Sequence, residues 1–339
     1  MGATLNGPAT GSAAYAAGRR RILQSEGWRV TLGVGAIVVA ALAVIYLVGG
    51  VDTTLITQSV VTGLLLGGVY ALVSLGLTLI FGVLGIVNFA HGAMLTMSMF
   101  LVYFMVSSLG INAYLAVGLT IPIMFVFGWL VQSALMNRLT EDAGHERPLM
   151  VTLGLSLLII NVLLMIFGGR PLSVQAPVNG SLPVLGAIAD ASRLIAFGGA
   201  IIVAVALALV LKRTPLGLAI RAVASNGTGA ALVGVNVRRI YSMTFGLGAA
   251  AVAVAGGLMT PFTSLIPSAG DQFTTLAFVI VVLGGLGSIP GALVGGLFVG
   301  LLQTVGTLYL PGSGSLLLVF AMFVLILFLR PQGLFGAKQ

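Results

Sequence analysis

The sequence predicts an all-α fold, a polytopic transmembrane helical bundle of about ten spans that includes broken or re-entrant helices and a short cytoplasmic helix. Of its 339 residues, 59% are hydrophobic and 6% are charged, whereas an ordinary soluble domain is about 25% charged. The 85 residues from Thr53 to Asn137 include no Asp, Glu, Lys or Arg, and Asp271 is the only one from Ile240 to Leu329. Because the apolar runs are continuous rather than alternating, they favour helices over the strands of a membrane barrel.

Each transmembrane helix needs about 20 apolar residues, and the sequence offers a series of runs of that kind. The run from 273 to 288 and the run from 291 to 309 are also compatible with a single broken helix. The predicted spans are 30–50, 55–81, 92–109, 113–136, 149–168, 194–211, 240–260, 273–288, 291–309 and 315–329.

The basic residues predict the orientation of these spans. With the N-terminus in the cytoplasm, thirteen of the fifteen Lys and Arg residues fall inside, and only Arg170 and Arg193 fall outside. The positive-inside rule favours this arrangement, which also places the C-terminus in the cytoplasm. We expect a disordered cytoplasmic tail over 1–29, a transmembrane domain over 30–330, a cytoplasmic tail over 331–339, and the largest outside loop between Arg170 and Arg193.

The residue types that the spans lack exclude several functions. No predicted span interior carries Asp, Glu, Lys or Arg, and His91 is the one ionisable candidate. Ion-coupled transporters usually need such groups, although a sodium site made of backbone carbonyls stays open. The sequence contains no G-x-x-x-x-G-K-[ST] motif, no cysteine and no grouping typical of catalysis. We therefore expect no enzymatic activity, no cofactor, no metal site and no nucleic-acid partner.

Two glycine-rich clusters, at 82–92 and 284–291, interrupt charge-free stretches and predict breaks within helices. Unwound backbone at membrane depth is tolerated where it is buried in protein or faces a water-filled cavity, and the exposed helix ends can bind polar solute atoms. Asn88 is also a candidate cap of the following helix, and His91 a candidate for a structural hydrogen bond to a neighbouring loop. Most glycines are explained by close helix packing. The predicted solute path comprises Asn88, Phe89, Ala90, His91, Gly92, Gly284, Gly285, Gly287 and Ser288.

The segment between Lys212 and Arg239 has five basic and no acidic residues among its 28 positions. Its sequence predicts a turn and a short helix, with Asn226 or Thr228 as the N-cap and Gly234 as a left-handed stop. The simpler alternative is a loop whose arginines only set the topology.

The motifs at these positions identify a family. The run from Tyr70 to Gly92, which ends Gly-Ile-Val-Asn-Phe-Ala-His-Gly, resembles the permease subunits of branched-chain amino-acid ABC importers, especially the H-type permease. The runs 282–296 (Val-Leu-Gly-Gly-Leu-Gly-Ser-Ile-Pro-Gly-Ala-Leu-Val-Gly-Gly) and 329–334 (Leu-Arg-Pro-Gln-Gly-Leu) match the same family, and the resemblance extends from about residue 55 onward. The urea permeases are closely similar, but many relatives have an acidic residue where this chain has Ala93, and often one near Asn226.

The resemblance implies a translocation path for branched-chain amino acids, with urea, short amides or other small acids as further candidates. It implies a bacterial inner-membrane location and three kinds of partner: a second homologous permease, two ATPase subunits that bind ATP, and an extracytoplasmic solute-binding protein. A homodimer of this chain is the alternative assembly. The segment 212–239 resembles the coupling helix that docks on the ATPase, with Arg221, Ala230, Ala231, Gly234 and Asn236 as the coupling residues. A passive channel, a sodium-coupled transporter and a purely structural subunit remain as alternatives.

Overall fold

The computed structural model describes residues 52–139, 146–178, 180–310 and 312–335. The predicted tail 1–29 and the predicted span 30–50 lie outside these residues, as do 336–339. The helices within the described part of the chain are α1 (Thr53–Leu84), α2 (His91–Leu109), α3 (Ala113–Leu130), α4 (Glu146–Phe167), α5 (Ala191–Arg213), α6 (Pro215–Ser225), α7 (Gly227–Leu232), α8 (Val237–Met259), α9 (Gly270–Gly284), α10 (Ile289–Tyr309) and α11 (Gly314–Leu329). A π-helical segment, Val131–Met136, and a final turn, Asn137–Leu139, extend α3.

Eight of the described helical segments are long and apolar enough to cross a membrane. They coincide with the eight predicted spans between 55 and 309, which confirms an all-α, polytopic membrane fold. The tenth predicted span, 315–329, coincides with α11, an apolar helix of 16 residues that is shorter than the eight membrane-length segments. The runs 273–288 and 291–309 form two helices, α9 and α10, that are separated by residues 285–288.

Helices α1 and α8 form the centre of the bundle. In each of them, 83% of the most apolar stretch of 18 residues is buried, compared with 22% of the corresponding stretch of α4. Glycines let α1 approach α10 closely, because a Cβ on Gly67 would lie 2.8 Å from the Cα of Leu297 and 2.9 Å from the carbonyl oxygen of Gly296. A Cβ on Gly63 would meet Leu301 Cα at 2.9 Å. The close helix packing that the sequence predicts for most glycines is therefore confirmed at Gly63 and Gly67.

The predicted outside loop contains structure that the sequence analysis did not anticipate. Strands β1 (Ser181–Val184) and β2 (Ala187–Asp190) form an antiparallel hairpin. The Gln58 side chain on α1 donates to the Ile188 carbonyl at 2.7 Å and accepts from the Ile188 amide at 2.8 Å, so the hairpin is tied to the beginning of α1. Asp190 ends the hairpin and caps α5 by accepting from the Ser192 amide at 2.8 Å.

Candidate functional site

The first predicted break is present between α1 and α2. Helix α1 ends at Leu84, Gly85 takes a left-handed φ of 68°, and α2 begins at His91. The His91 Nε2 donates to the Val73 carbonyl at 2.8 Å, so its structural hydrogen bond goes to α1, eleven residues before the end of that helix, and not to a neighbouring loop as predicted. Eleven helical residues rise about 17 Å, and the six residues 85–90 can cover at most about 20 Å. The chain therefore turns back along α1, and α2 starts beside the middle of α1 rather than at its end.

Asn88 organises the turn that precedes α2. Its Oδ1 accepts from the Ala90 amide at 3.0 Å, and its backbone carbonyl accepts from the His91 amide at 3.3 Å. The Asn88 side chain therefore stabilises the turn before α2. The predicted role as the cap of the following helix is wrong, because the N-cap of α2 is Ala90, which makes no side-chain capping hydrogen bond. Asn88, Ala90 and His91 are fully buried, whereas Phe89 is 38% exposed.

Gly92 at the start of α2 meets Gly270 at the start of α9. The Gly92 amide donates to Thr274 Oγ1 at 2.9 Å, and Thr96 Oγ1 donates to the Gly92 carbonyl at 3.2 Å. A Cβ on either glycine would overlap the carbonyl group of the other. Only glycine at both positions permits this contact, so two helix N-termini with their positive dipole ends lie together beside the middle of α1.

The second predicted break is also present, between α9 and α10. Gly285 and Gly287 have φ values of 100° and 79°, which favour glycine. Ser288 caps α10, because its Oγ accepts from the Gly291 amide at 3.2 Å. This break reaches the end of α1, since a Cβ on Gly82 would lie 3.1 Å from the Cα of Gly287. The two breaks that the sequence predicted separately are therefore in contact.

The C-terminal segment closes the second break. The Leu334 amide donates to the Leu283 carbonyl at 2.8 Å, and the Phe335 amide donates to the Gly284 carbonyl at 3.0 Å. A Cβ on Gly333 would lie 2.5 Å from the Val282 carbonyl oxygen. The carbonyls at the end of α9 are thus satisfied within the chain, which gives the motif at 329–334 a structural role.

Two polar groups near the first break remain unpaired. Since Nε2 donates to a carbonyl, the other ring nitrogen of His91, Nδ1, is left as an acceptor, and it has no partner among the described residues. The buried hydroxyl of Thr78, on α1, also has no partner there. Within residues 52–139, 146–178, 180–310 and 312–335, no three His, Asp or Glu side chains come together in a way that could hold a metal ion.

The basic segment forms two short helices rather than one. Asn226 caps α7 by accepting from the Gly229 amide at 2.8 Å, and Gly234 has a φ of 89°, as predicted for a cap and a left-handed stop. Helix α6 was not predicted, although Thr214 and Pro215 are a recognisable start signal: Thr214 Oγ1 accepts from the Gly217 amide at 3.1 Å.

The predicted coupling residues occupy different positions in this segment. Arg221 lies on α6, whereas Ala230 and Ala231 lie on α7. Asn236 caps α8 by accepting from the Arg239 amide at 3.0 Å. Ala230 is buried, and the neighbouring Leu232 and Val233 are 85% and 80% exposed. The sequence analysis missed this exposed pair and also missed Gly270 and Thr274.

A hydrophobic cluster joins this segment to both breaks. Ala230 of α7 and Ile220 of α6 pack in one buried cluster with Leu79 of α1. Val83, near the first break, and Ile289, at the end of the second, pack against the same cluster. The segment 212–239 is therefore in apolar contact with the elements that carry the predicted solute path.

Comparison with known proteins connects these features to a family. Residues 59–329 match the family described as branched-chain amino acid transport system / permease component. The chain is 31% identical over 297 residues to the high-affinity branched-chain amino acid transport system permease protein LivH of Escherichia coli, covering 83% of this chain and 96% of that protein. It is 29% identical over 295 residues to BraD of Pseudomonas aeruginosa, with the same coverage.

More distant similarity extends to an importer named for another solute. The ribose import permease protein RbsC of Haemophilus influenzae is 26% identical over 285 residues, covering 80% of this chain and 84% of that protein. No solved structure matches the chain.

Proposed function

Because the chain belongs to the family of permease components of branched-chain amino acid transport systems, we propose that it forms the translocation path for branched-chain amino acids or a related small polar solute. It is a multi-pass membrane protein of an ABC importer. In our proposal ATP is bound and hydrolysed by two separate subunits, since the sequence has no phosphate-binding motif of its own. A second homologous permease and an extracytoplasmic binding protein complete the importer.

The observation that carries this proposal is the exposed apolar pair on the basic segment. Leu232 and Val233 are 85% and 80% exposed at the end of α7, which Asn226 and Gly234 delimit on either side. In our proposal these aliphatic side chains, exposed within the basic segment 212–239, form the surface that docks on the ATPase. A free-standing channel does not need such a surface.

The hydrophobic cluster mechanically connects the proposed ATPase docking surface to the membrane helices. Ala230 faces inward on the helix that presents Leu232 and Val233 outward, and it packs with Ile220 and Leu79. A displacement of α7 by the ATPase would therefore be transmitted through close-packed side chains to α1 and to the second break.

Removal of the apolar pair tests the docking surface. A variant carrying Leu232→Asp and Val233→Asp, purified from native membranes, should lose the ATPase subunits that mass spectrometry identifies with the wild-type protein. Leu185→Asp is the matched control, because Leu185 is also 85% exposed but lies in the hairpin turn. Retention of the ATPases by the double variant would refute docking at α7.

A second variant separates docking from transmission. Ile220→Ala removes a buried side chain of the cluster but leaves the exposed pair unchanged. We expect the complex to retain its ATPases and to hydrolyse ATP, while uptake of radiolabelled leucine into proteoliposomes falls several-fold. Equal losses of hydrolysis and uptake would contradict transmission through this cluster.

The relatives favour branched-chain amino acids as the solute. The proteins with the higher identities, 31% and 29%, are named for these amino acids, and a protein at 26% is named for ribose. We expect excess isoleucine and valine to reduce leucine uptake, and ribose and urea to leave it unchanged. A reduction by ribose alone would show that the solute is not a branched-chain amino acid.

A passive channel for urea or a similar neutral solute is the second candidate, and the paired breaks favour it. The two candidates differ in their need for ATP. Purified protein without its partners should show no urea flux in liposomes if it is an importer subunit, whereas rapid flux without ATP would favour the channel.

A further inference from the structure

An apolar groove runs along the outside of α1 between α5 and α10. Its first part, of about 300 Å³, is lined by small and aromatic side chains that include Gly68, Ala200 and Phe197. Its second part, of about 480 Å³, continues towards α6 and the second break. Ala208 and Leu293 line both parts, so they form one continuous surface.

The groove changes from apolar to basic along its length. Lys212 and Arg221 line the second part together with Ser288, and no Asp or Glu is among the described residues that line it. Helix α10 begins at this end, which adds the partial positive charge of its N-terminus. The hydroxyl of Thr78, which is 1% exposed and unpaired among the described residues, also lines it. The groove is therefore suited to a molecule that has an anionic headgroup and an apolar tail.

The dimensions of the groove fit one acyl chain. From Gly68 to Gly82, both of which line it, α1 rises about 21 Å. One leaflet of hydrocarbon is about 15 Å thick, half of the bilayer core. A chain can therefore lie along the groove while its headgroup phosphate remains at the basic end.

We propose that this groove binds an anionic phospholipid, with an acyl chain between α1, α5 and α10 and the phosphate held by Lys212 and Arg221. Lys and Arg side chains donate strong hydrogen bonds to phosphate oxygens, and basic pockets between transmembrane helices bind anionic headgroups. The site does not depend on the proposed transport function. It assigns to Arg221 a lipid contact in place of the ATPase contact predicted from the sequence.

Binding of two lipids to the purified full chain tests the headgroup contact. Native mass spectrometry with palmitoyl-oleoyl phosphatidylglycerol and with the phosphatidylcholine of the same acyl chains should show tighter binding of the anionic lipid. Each cation near the headgroup contributes roughly a fivefold change in affinity, so a variant with Lys212→Gln and Arg221→Gln should bind phosphatidylglycerol about 30-fold more weakly. The control variant, Arg213→Gln with Arg239→Gln, loses the same charge from residues that do not line the groove and should bind normally.

Filling the groove tests the acyl contact without a change in charge. Ala208→Phe should displace the lipid, whereas Ala206→Phe, at an exposed position on the same helix that does not line the groove, should not. A photoreactive residue at Val205 should give a lipid adduct in membranes. Equal lipid binding by test and control variants would overturn the proposal. An adduct with the predicted span 30–50 or with another subunit in place of lipid would also overturn it.

Discussion

Replacement of Gly92 by alanine is the most direct test of the contact between α2 and α9. The added methyl group would overlap the Gly270 carbonyl and lie against Thr274 Oγ1. Overpacking typically costs about 1–3 kcal/mol, and the upper end applies because the obstacle is backbone that cannot rotate away. Alanine regains about 1 kcal/mol of helix propensity over glycine. We therefore expect a net loss of about 2 kcal/mol, which for a chain of 339 residues corresponds to a fall in Tm of roughly 3 °C.

Gly154→Ala is the matched control for this substitution. Gly154 also lies within a membrane-length helix, α4, but a Cβ there would have no neighbour within 4 Å among the described residues. It should gain up to about 1 kcal/mol and melt no lower than the wild type. Scanning fluorimetry of both variants in one detergent measures the difference. If the Gly92→Ala variant has the same Tm as the Gly154→Ala variant, the inferred close contact between Gly92 and Gly270 is wrong.

Three further substitutions test other parts of the structure by the same measurement. Asn226→Ala should cost about 1 kcal/mol through loss of the α7 cap, and Asn226→Ser should retain most of the stability. Leu334→Ala should cost about 2–4 kcal/mol, because Leu334 is 3% exposed against the second break, whereas Leu329→Ala at a 67% exposed position should cost little. His91→Leu removes the bond to the Val73 carbonyl and should cost about 1 kcal/mol; no loss would show that this bond does not hold α2 in place.

The sequence predicted the local features of the site well because local residues determine them. Helix breakers concentrated within charge-free stretches located both breaks, and Asn226 and Gly234 predicted the ends of α7. The contact between Gly92 and Thr274 joins residues 182 positions apart. No spacing in the sequence encodes such a contact, because it depends on α2 starting beside the middle of α1. The role of Leu334 was hidden for the same reason.

Other misses have a different cause. Helix α6 carries a start signal, Thr214 and Pro215, but the sequence analysis predicted only one short helix in the basic segment. The hairpin in the predicted outside loop has short strands, and β1 contains Pro183, which lowers its strand propensity. It is held by the Gln58 side chain on α1, again a distant residue. The exposure of Leu232 and Val233 could not be predicted from the sequence, because two aliphatic residues beside a glycine are equally compatible with a buried turn.

The contact between the two breaks gives their glycine content a common physical basis. Gly82, near the end of α1, lies close to Gly287, which precedes the start of α10. The neighbouring residues Val83 and Ile289 pack against the same hydrophobic cluster. A Cβ on Gly82 would lie 3.1 Å from the Cα of Gly287, and a Cβ on Gly287 would lie 3.2 Å from the Cα of Gly82, so a side chain at either position would push the two breaks slightly apart. With glycine at both, a displacement of α6 and α7 acts on both breaks at once, because close-packed groups transmit strain. The glycines at this contact therefore serve the connection between the breaks as well as the backbone conformation at Gly287.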